Sequence, residues 1–229
     1  MSAIDTAARS PRRRRGPARP RADDPRVVRT RAAVLAAARA LFLRHGYAGT
    51  TMDDVAAEAG LTKRTLYNNY GDKGTLFREI VDDTIAYAEA FARELHVEFT
   101  AGITRSNVAE SLTALGRRLA LGIVRPEVVA LRRMLIAESR ELPAVGREYH
   151  QRAPGQVLRA LATGFATLHR RRILRARDPH MAAAQFAYLV AGEHLDAALM
   201  TGSVAPRHVL ETAAVEGVQT FLARYGPVP

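Results

Sequence analysis

Apolar residues return every three or four positions from Val28 almost to the end of the chain, and this spacing limits the fold more than any other feature. It is the spacing of residues on one face of an α-helix, whereas the alternation typical of a β-strand never lasts for more than a few residues. Glycines, prolines and capping residues divide this stretch into about nine predicted helices. Their approximate ranges are 28–45, 52–59, 63–70, 73–99, 106–124, 126–140, 142–171 with a break near Pro154, 179–201 and 206–224. The sequence therefore predicts an all-α fold.

The first 26 residues have a different composition. They contain eight arginines, three acidic residues, four prolines and almost no large apolar side chain. Such a segment buries too little apolar surface to offset its conformational entropy, so we predict a disordered basic arm over residues 1–26. Two interpretations remain open: a solvated tail without a role, or an arm that lies along nucleic-acid phosphates or in a minor groove.

Charge and composition exclude several classes of protein. The net charge of +11 favours a polyanionic partner. Because there is no cysteine, disulfides, thiol catalysis and cysteine-ligated metal sites are excluded. The seven histidines lack ligand spacing, so we expect no metal and no cofactor. The longest uncharged run, from Met181 to Gly192, is shorter than the roughly 20 residues of a membrane span. We expect a cytoplasmic protein that makes no membrane contact.

Two short helices joined by a glycine turn, within Thr51–Lys73, predict a helix-turn-helix. Gly60 stands where the turn needs a positive φ, and Ala56 is small where the two helices approach each other. The second helix presents polar side chains that can meet base edges and phosphates in a major groove. These side chains are Thr62, Lys63, Arg64 and Asn68. Since such helical pairs also occur in proteins that never bind DNA, the pattern alone favours DNA binding without requiring it.

Residues 34–81 resemble the N-terminal domain of the TetR family of transcriptional regulators. The resemblance runs from Leu41 to Phe77, LFLRHGYAGTTMDDVAAEAGLTKRTLYNNYGDKGTLF. The matching positions are Gly46-Tyr47, Thr50-Thr51, Val55-Ala56, Ala59-Gly60-Leu61, Thr65-Leu66-Tyr67, Tyr70 and Lys73. Thr62 replaces the usual serine, Arg64 a small residue and Gly74 an acidic one. The resemblance implies a homodimer that docks two recognition helices into successive major grooves of a partly palindromic operator. It also implies a repressor, which is the usual role in this family, released from DNA by a small-molecule effector.

The resemblance also implies roles for individual residues in a DNA-binding domain over 27–73. Thr50 or Thr51, Tyr67 and Lys73 would contact phosphates, and Thr62, Lys63 and Arg64 would lie nearest the bases. Tyr70 is expected to pack in the small core. For Tyr67 we expect a buried ring with its hydroxyl on a phosphate.

Residues 74–225 are implied to form a helical effector-binding and dimerisation domain. Within it, Leu131–Pro154 resembles the C-terminal domain of the AefR-like regulators. The last two predicted helices suit a four-helix dimer interface because small residues allow close approach. The predicted interface residues are Phe186, Leu195, Leu210, Val218 and Phe221. An ordinary core within one chain remains the alternative.

An effector cavity would lie between the fourth and eighth predicted helices. The candidates to line it are Tyr87, Phe91, Met134, Glu138, Tyr149, Phe165, Tyr188 and His194. Each of these residues could instead belong to the plain core.

Two other functions compete with a transcriptional regulator. An α-helical enzyme finds little support, because no nucleophile elbow, phosphate-binding loop, zinc-protease motif or dinucleotide fingerprint is present. A non-specific DNA-packaging protein would use the arginine-rich arm but gives the large C-terminal region no role. The sequence therefore predicts a dimeric, ligand-responsive DNA-binding repressor that is not an enzyme.

Overall fold

The computed structural model describes residues 24–227, apart from the side chains of residues 100 and 101, and every regular element in that range is an α-helix. The helices are α1 (Pro25–Gly49), α2 (Met52–Glu58), α3 (Lys63–Tyr70), α4 (Lys73–Ala101), α5 (Val108–Ile123), α6 (Pro126–Ala137), α7 (Pro143–Arg152), α8 (Pro154–Arg170), α9 (Pro179–Thr201) and α10 (Arg207–Tyr225). The predicted all-α fold is confirmed. The described range holds ten helices where about nine were predicted, because the break at Pro154 divides one segment into α7 and α8.

The helix that precedes the helix-turn-helix begins earlier than predicted. The side chain of Asp24 accepts a hydrogen bond from the backbone N–H of Arg26, and Pro25 occupies the first turn, where its missing N–H costs nothing. The last residues of the predicted arm thus belong to the cap and first turn of α1. Residues 1–23 lie outside the described residues, so the contact of the arm with DNA stays a prediction.

The first hydrophobic core joins the N-terminal helices to the rest of the chain. It packs α1, α2 and α3 against the first half of α4 and against α6 and α7, and includes Phe42, Leu66, Phe77, Met134 and Tyr149. The rings of Phe42 and Phe77 meet edge to face with centroids 5.5 Å apart. Because α4 and α6 belong to this core, the helix-turn-helix is fixed to helices that continue into the C-terminal part of the chain.

The second core fills the C-terminal part and lies among α4, α5, α8, α9 and α10. Its centre is a cluster of rings in which Phe165, Phe186 and Phe221 lie 5.0–5.4 Å apart. Four residues that the sequence assigned to a dimer interface are buried here within a single chain, since Phe186, Leu210, Val218 and Phe221 are at most 3% exposed. For these four the interface prediction is wrong, because the small residues bring α9 and α10 together within one chain. No helix of the described range is long and apolar enough to cross a membrane.

Candidate DNA-binding surface and ligand cavity

The turn between α2 and α3 is built by local backbone interactions. Thr51 and Asp54 form a reciprocal capping box at the start of α2, and Thr62 caps α3. Gly60 adopts a φ of 67°, which favours glycine, and the N–H of Leu61 donates to the carbonyl of Ala56 at 2.9 Å. The apolar residues Val55, Ala56 and Leu66 are fully buried between the helices. This arrangement holds α3 at a defined angle with its polar face outward.

The outward face of α3 carries the side chains that were predicted from the sequence to contact DNA. Thr62, Lys63, Arg64, Tyr67 and Asn68 are all exposed. Their polar groups are therefore free to approach a ligand as large as a DNA duplex.

The two cations of this face differ in their surroundings. Lys63 Nζ donates to Asp53 Oδ2 of α2 at 2.5 Å, and this hydrogen bond raises the pKa of Lys63. The guanidinium of Arg64 has no hydrogen-bond or ion-pair partner within residues 24–227. Arg64 is thus the cation on α3 that can bind an external group without first breaking a bond.

The structure distinguishes the two adjacent threonines. Thr50 is 1% exposed and its hydroxyl donates to the carbonyl of Gly46 at 2.9 Å, so its side chain cannot reach a phosphate. Thr51 is exposed, and its hydroxyl donates to Asp54 Oδ2 at 2.6 Å. The hydrogen bonds from Thr51 hold the pKa of Asp54 below its usual value. Of the predicted pair, only Thr51 presents its side chain at the surface.

The two tyrosines of α3 lie in different environments. Tyr70 is 7% exposed in the core, which confirms its predicted packing role. Tyr67 is 47% exposed, so the expectation of a buried ring is wrong. It points away from the core because Leu66 already fills the space between α3 and its neighbours.

Lys73 binds the end of α1. Its Nζ donates to the carbonyls of Tyr47 at 2.6 Å and Thr50 at 3.0 Å, and lies 4.4 Å from the centroid of the Tyr47 ring. Carbonyls at a helix C-terminus lack partners within the helix, and a cation there also meets the negative end of the helix dipole. Because these contacts engage the ammonium group, they do not favour the predicted phosphate contact. They lie more than twenty residues away in sequence, which is why the pattern did not reveal them.

Glu138 contacts α1 and does not line the cavity that is described below. It caps α6, and its Oε1 accepts a hydrogen bond from the backbone N–H of Tyr47 at 3.1 Å. That donor follows Gly46, where a φ of 73° interrupts the helical backbone of α1. Glu138 is therefore a contact between the C-terminal part and the helix that leads into the helix-turn-helix.

A cavity of about 210 Å³ lies among α4, α5, α6, α7, α8 and α9. Four predicted residues line it: Tyr87, Phe91, Tyr149 and Tyr188. Leu195, predicted for the dimer interface, lines it as well. Most of its wall is apolar, as in ordinary sites for small organic molecules.

The other predicted cavity residues lie elsewhere. Met134 is buried in the first core, Phe165 is at the centre of the ring cluster, and His194 lies beside Glu193 with 3.7 Å between Nε2 and Oε2. Apolar character at helical spacing marks core and cavity wall alike, so the sequence could not separate them. Arg132, which no sequence pattern indicated, lines the cavity, and its Nε donates to the hydroxyl of Tyr149 at 3.2 Å.

Two family models match this chain. Residues 34–80 match the bacterial regulatory proteins of the tetR family, and residues 110–227 match the C-terminal domain of the AefR-like transcriptional repressors. A helix-turn-helix transcriptional repressor of Streptomyces coelicolor is 45% identical over 53 residues. That match spans 23% of this chain and 28% of the repressor.

Solved structures resemble the chain over most of its length. A protein of Mesorhizobium loti described as a TetR-family transcriptional regulator has a TM-score of 0.74 and 29% identity, over 89% of this chain and 100% of its own. The flavonoid-responsive regulator FrrA has a TM-score of 0.60 and 28% identity, over 88% of this chain and 100% of its own.

Proposed function

The chain belongs to the TetR family of bacterial transcriptional regulators, and from that premise we propose that it represses transcription as an operator-bound homodimer until a small molecule occupies its cavity. The observation that carries the proposal is the exposed polar face of α3, held outward by the capped turn. In this proposal Thr62, Lys63 and Arg64 lie nearest the bases. Thr51, Tyr67 and Asn68 are the further candidates for contact with DNA, and the protein acts in the cytoplasm.

The dimer is proposed to form through the outer face of α9. Met181, Leu189 and Met200 are 40–77% exposed and occupy one stripe, about 100° wide, along this helix. Large apolar side chains on one face of a soluble protein mark an interaction surface. This stripe replaces the buried residues of the earlier interface prediction, and two copies related by a twofold axis would suit a palindromic operator.

The cavity is proposed as the effector site. It is enclosed by α4 and α6, and both helices also pack against the helix-turn-helix in the first core. A ligand that fits the cavity in one arrangement of these helices better than in another would shift the DNA-binding equilibrium. FrrA, described as flavonoid-responsive, supports a small-molecule effector for a chain of this architecture.

Operator binding is tested against the alternative of a non-specific packaging protein. Footprinting on the DNA upstream of the protein's own gene should reveal one protected, partly palindromic site. In mobility-shift titrations at a fixed salt concentration, that duplex should be preferred by about 10³-fold or more over a scrambled duplex of equal length. Equal affinity for both duplexes would support the packaging protein and contradict the proposal.

A further inference from the structure

The wall of the cavity carries one sign of charge. Among its lining residues there is no aspartate or glutamate within the described part of the chain, and Arg132 supplies the only permanent charge. The exposed imidazole of His150 lies at the same wall. The remaining surface is mostly aliphatic and aromatic, so the guanidinium of Arg132 is the permanent charge that a ligand would meet there.

Arg132 lacks the acidic partner that two arginines near the cavity, Arg125 and Arg152, have. Arg125 lies 3.5 Å from Glu127, and Arg152 bonds to three acidic side chains of α4 and α7. Arg132 is half-buried, yet no carboxylate of the described residues lies within 4.0 Å of it, and its single hydrogen bond joins Nε to the hydroxyl of Tyr149. Removing a charge from water without a partner costs free energy, and an anionic ligand would recover that cost.

The free nitrogens of the Arg132 guanidinium favour a carboxylate as the anionic group of the ligand. Nε of Arg132 donates a hydrogen bond to the hydroxyl of Tyr149. The two terminal nitrogens of the guanidinium have no hydrogen-bond partner among the described residues. A guanidinium binds a carboxylate with two parallel hydrogen bonds, which an amide or an amine cannot reproduce.

The volume of the cavity provides room for an aromatic ring. An engineered cavity of about 150 Å³ in another protein accommodates benzene, so about 210 Å³ suits a single ring with a short side chain. The aromatic side chains of Tyr87, Phe91 and Tyr188 offer faces and edges for such a ring.

We propose that the cavity binds a monocarboxylate with one aromatic ring, and that Arg132 is the residue that selects its charge. This inference rests on the proposed function in one respect, because it takes the cavity as the effector site.

The test is isothermal titration of the full chain with three molecules that differ in one group. The probes are 3-phenylpropanoate, 3-phenylpropanamide and 3-phenylpropan-1-amine. The carboxylate should bind at least about tenfold more tightly than the amide, because hydrogen bonds to a charged group exceed neutral ones by that factor. The amine should bind most weakly of the three.

Substitutions connect that preference to one side chain. Arg132→Gln should abolish the preference for the carboxylate over the amide, and Arg132→Lys should keep part of it because the charge remains. Arg117→Gln, which changes an exposed arginine of α5 outside the cavity, should leave the preference unchanged. Urea unfolding of each variant identifies any loss of the fold.

Three results would overturn the inference: an amide that binds as tightly as the carboxylate, a preference that survives Arg132→Gln in a folded variant, or no binding of 3-phenylpropanoate below about 1 mM. Any of them combined with a preferred operator overturns the inference and leaves the proposed function intact. Conversely, a carboxylate preference that depends on Arg132, in a protein without a preferred duplex, supports the ligand assignment and contradicts the repressor.

Discussion

Glu138 accepts a hydrogen bond from the backbone N–H of Tyr47, with 3.1 Å between Oε1 and N. The acceptor caps α6, and the same helix supplies Val128 and Arg132 to the wall of the cavity. Arg132 and Glu138 are six residues apart, about 9 Å along a helix. One short helix thus contacts both the ligand cavity and the end of the helix that leads into the helix-turn-helix.

Glu138→Ala should lower the free energy of unfolding by about 1–3 kcal/mol, since it leaves a half-buried N–H without its charged acceptor. Glu138→Gln keeps a side-chain oxygen in the same place and should retain most of the stability. Glu141→Ala, at an exposed position just beyond, is the matched control. Urea unfolding measures all three, and equal stability of the alanine variants at 138 and 141 would contradict a stabilising role for the bond.

Lys73→Met should destabilise the protein without changing the salt dependence of DNA binding. The substitution removes the donor for the carbonyls of Tyr47 and Thr50, at a cost of about 1–3 kcal/mol in urea unfolding. The slope of log affinity against log salt for operator binding should stay the same, because the ammonium group is engaged within the protein. A slope reduced by about one unit would instead support the predicted contact between Lys73 and a phosphate.

Arg64→Ala should weaken operator binding by about 1–3 kcal/mol and relax the preference at particular base pairs, because the guanidinium is exposed and has no partner in the described residues. Mobility-shift assays against single-base variants of the operator measure the change. Arg44→Ala, which removes an exposed arginine of α1, is the control and should preserve the pattern of preferences. A loss that is equal for every duplex would identify Arg64 as a phosphate contact.

Gly217 allows α10 to pack directly on the backbone of α9. A Cβ atom there would collide with the carbonyl of Leu189, which belongs to a helix backbone and cannot rotate away. Gly217→Ala should therefore cost about 1–3 kcal/mol in urea unfolding, because it forces the two helices apart. Gly146→Ala places the same methyl group in open space on α7 and should be neutral or stabilising by up to about 1 kcal/mol. Similar values for the two variants would contradict the close approach.

The features that the sequence predicted correctly depend on neighbouring residues. The positive φ of Gly60 in the turn needs only a few residues in a row. The spacing of apolar residues likewise predicted that the chain folds into helices.

The features that the sequence did not predict depend on which residues each helix face contacts in the folded chain. Phe186 has an apolar environment either in a dimer interface or in a single-chain core, and the sequence pattern is the same in both cases. The partners of Lys73 and Glu138 lie far away in the chain, so no local spacing indicates them. The exposed face of α3 could be predicted from the sequence because its buried residues, Leu66 and Tyr70, mark the opposite side.

The pKa of Tyr70 predicts how stability changes in alkaline solution. Burial, together with the negative charges of Glu79 and Asp83, raises the pKa of this phenol to about 12. In the unfolded chain the pKa is about 10, so between these values the unfolded state releases a proton that the folded state keeps. The contribution of Tyr70 to stability is complete below pH 10 and is lost as the pH rises toward 12. Urea unfolding at intervals of half a pH unit from 9 to 12 should show a steeper decline for the natural protein than for Tyr70→Phe. Tyr67→Phe, which alters the exposed ring of the same helix, should keep the steeper decline, and parallel curves for Tyr70→Phe and the natural protein would contradict the role of burial.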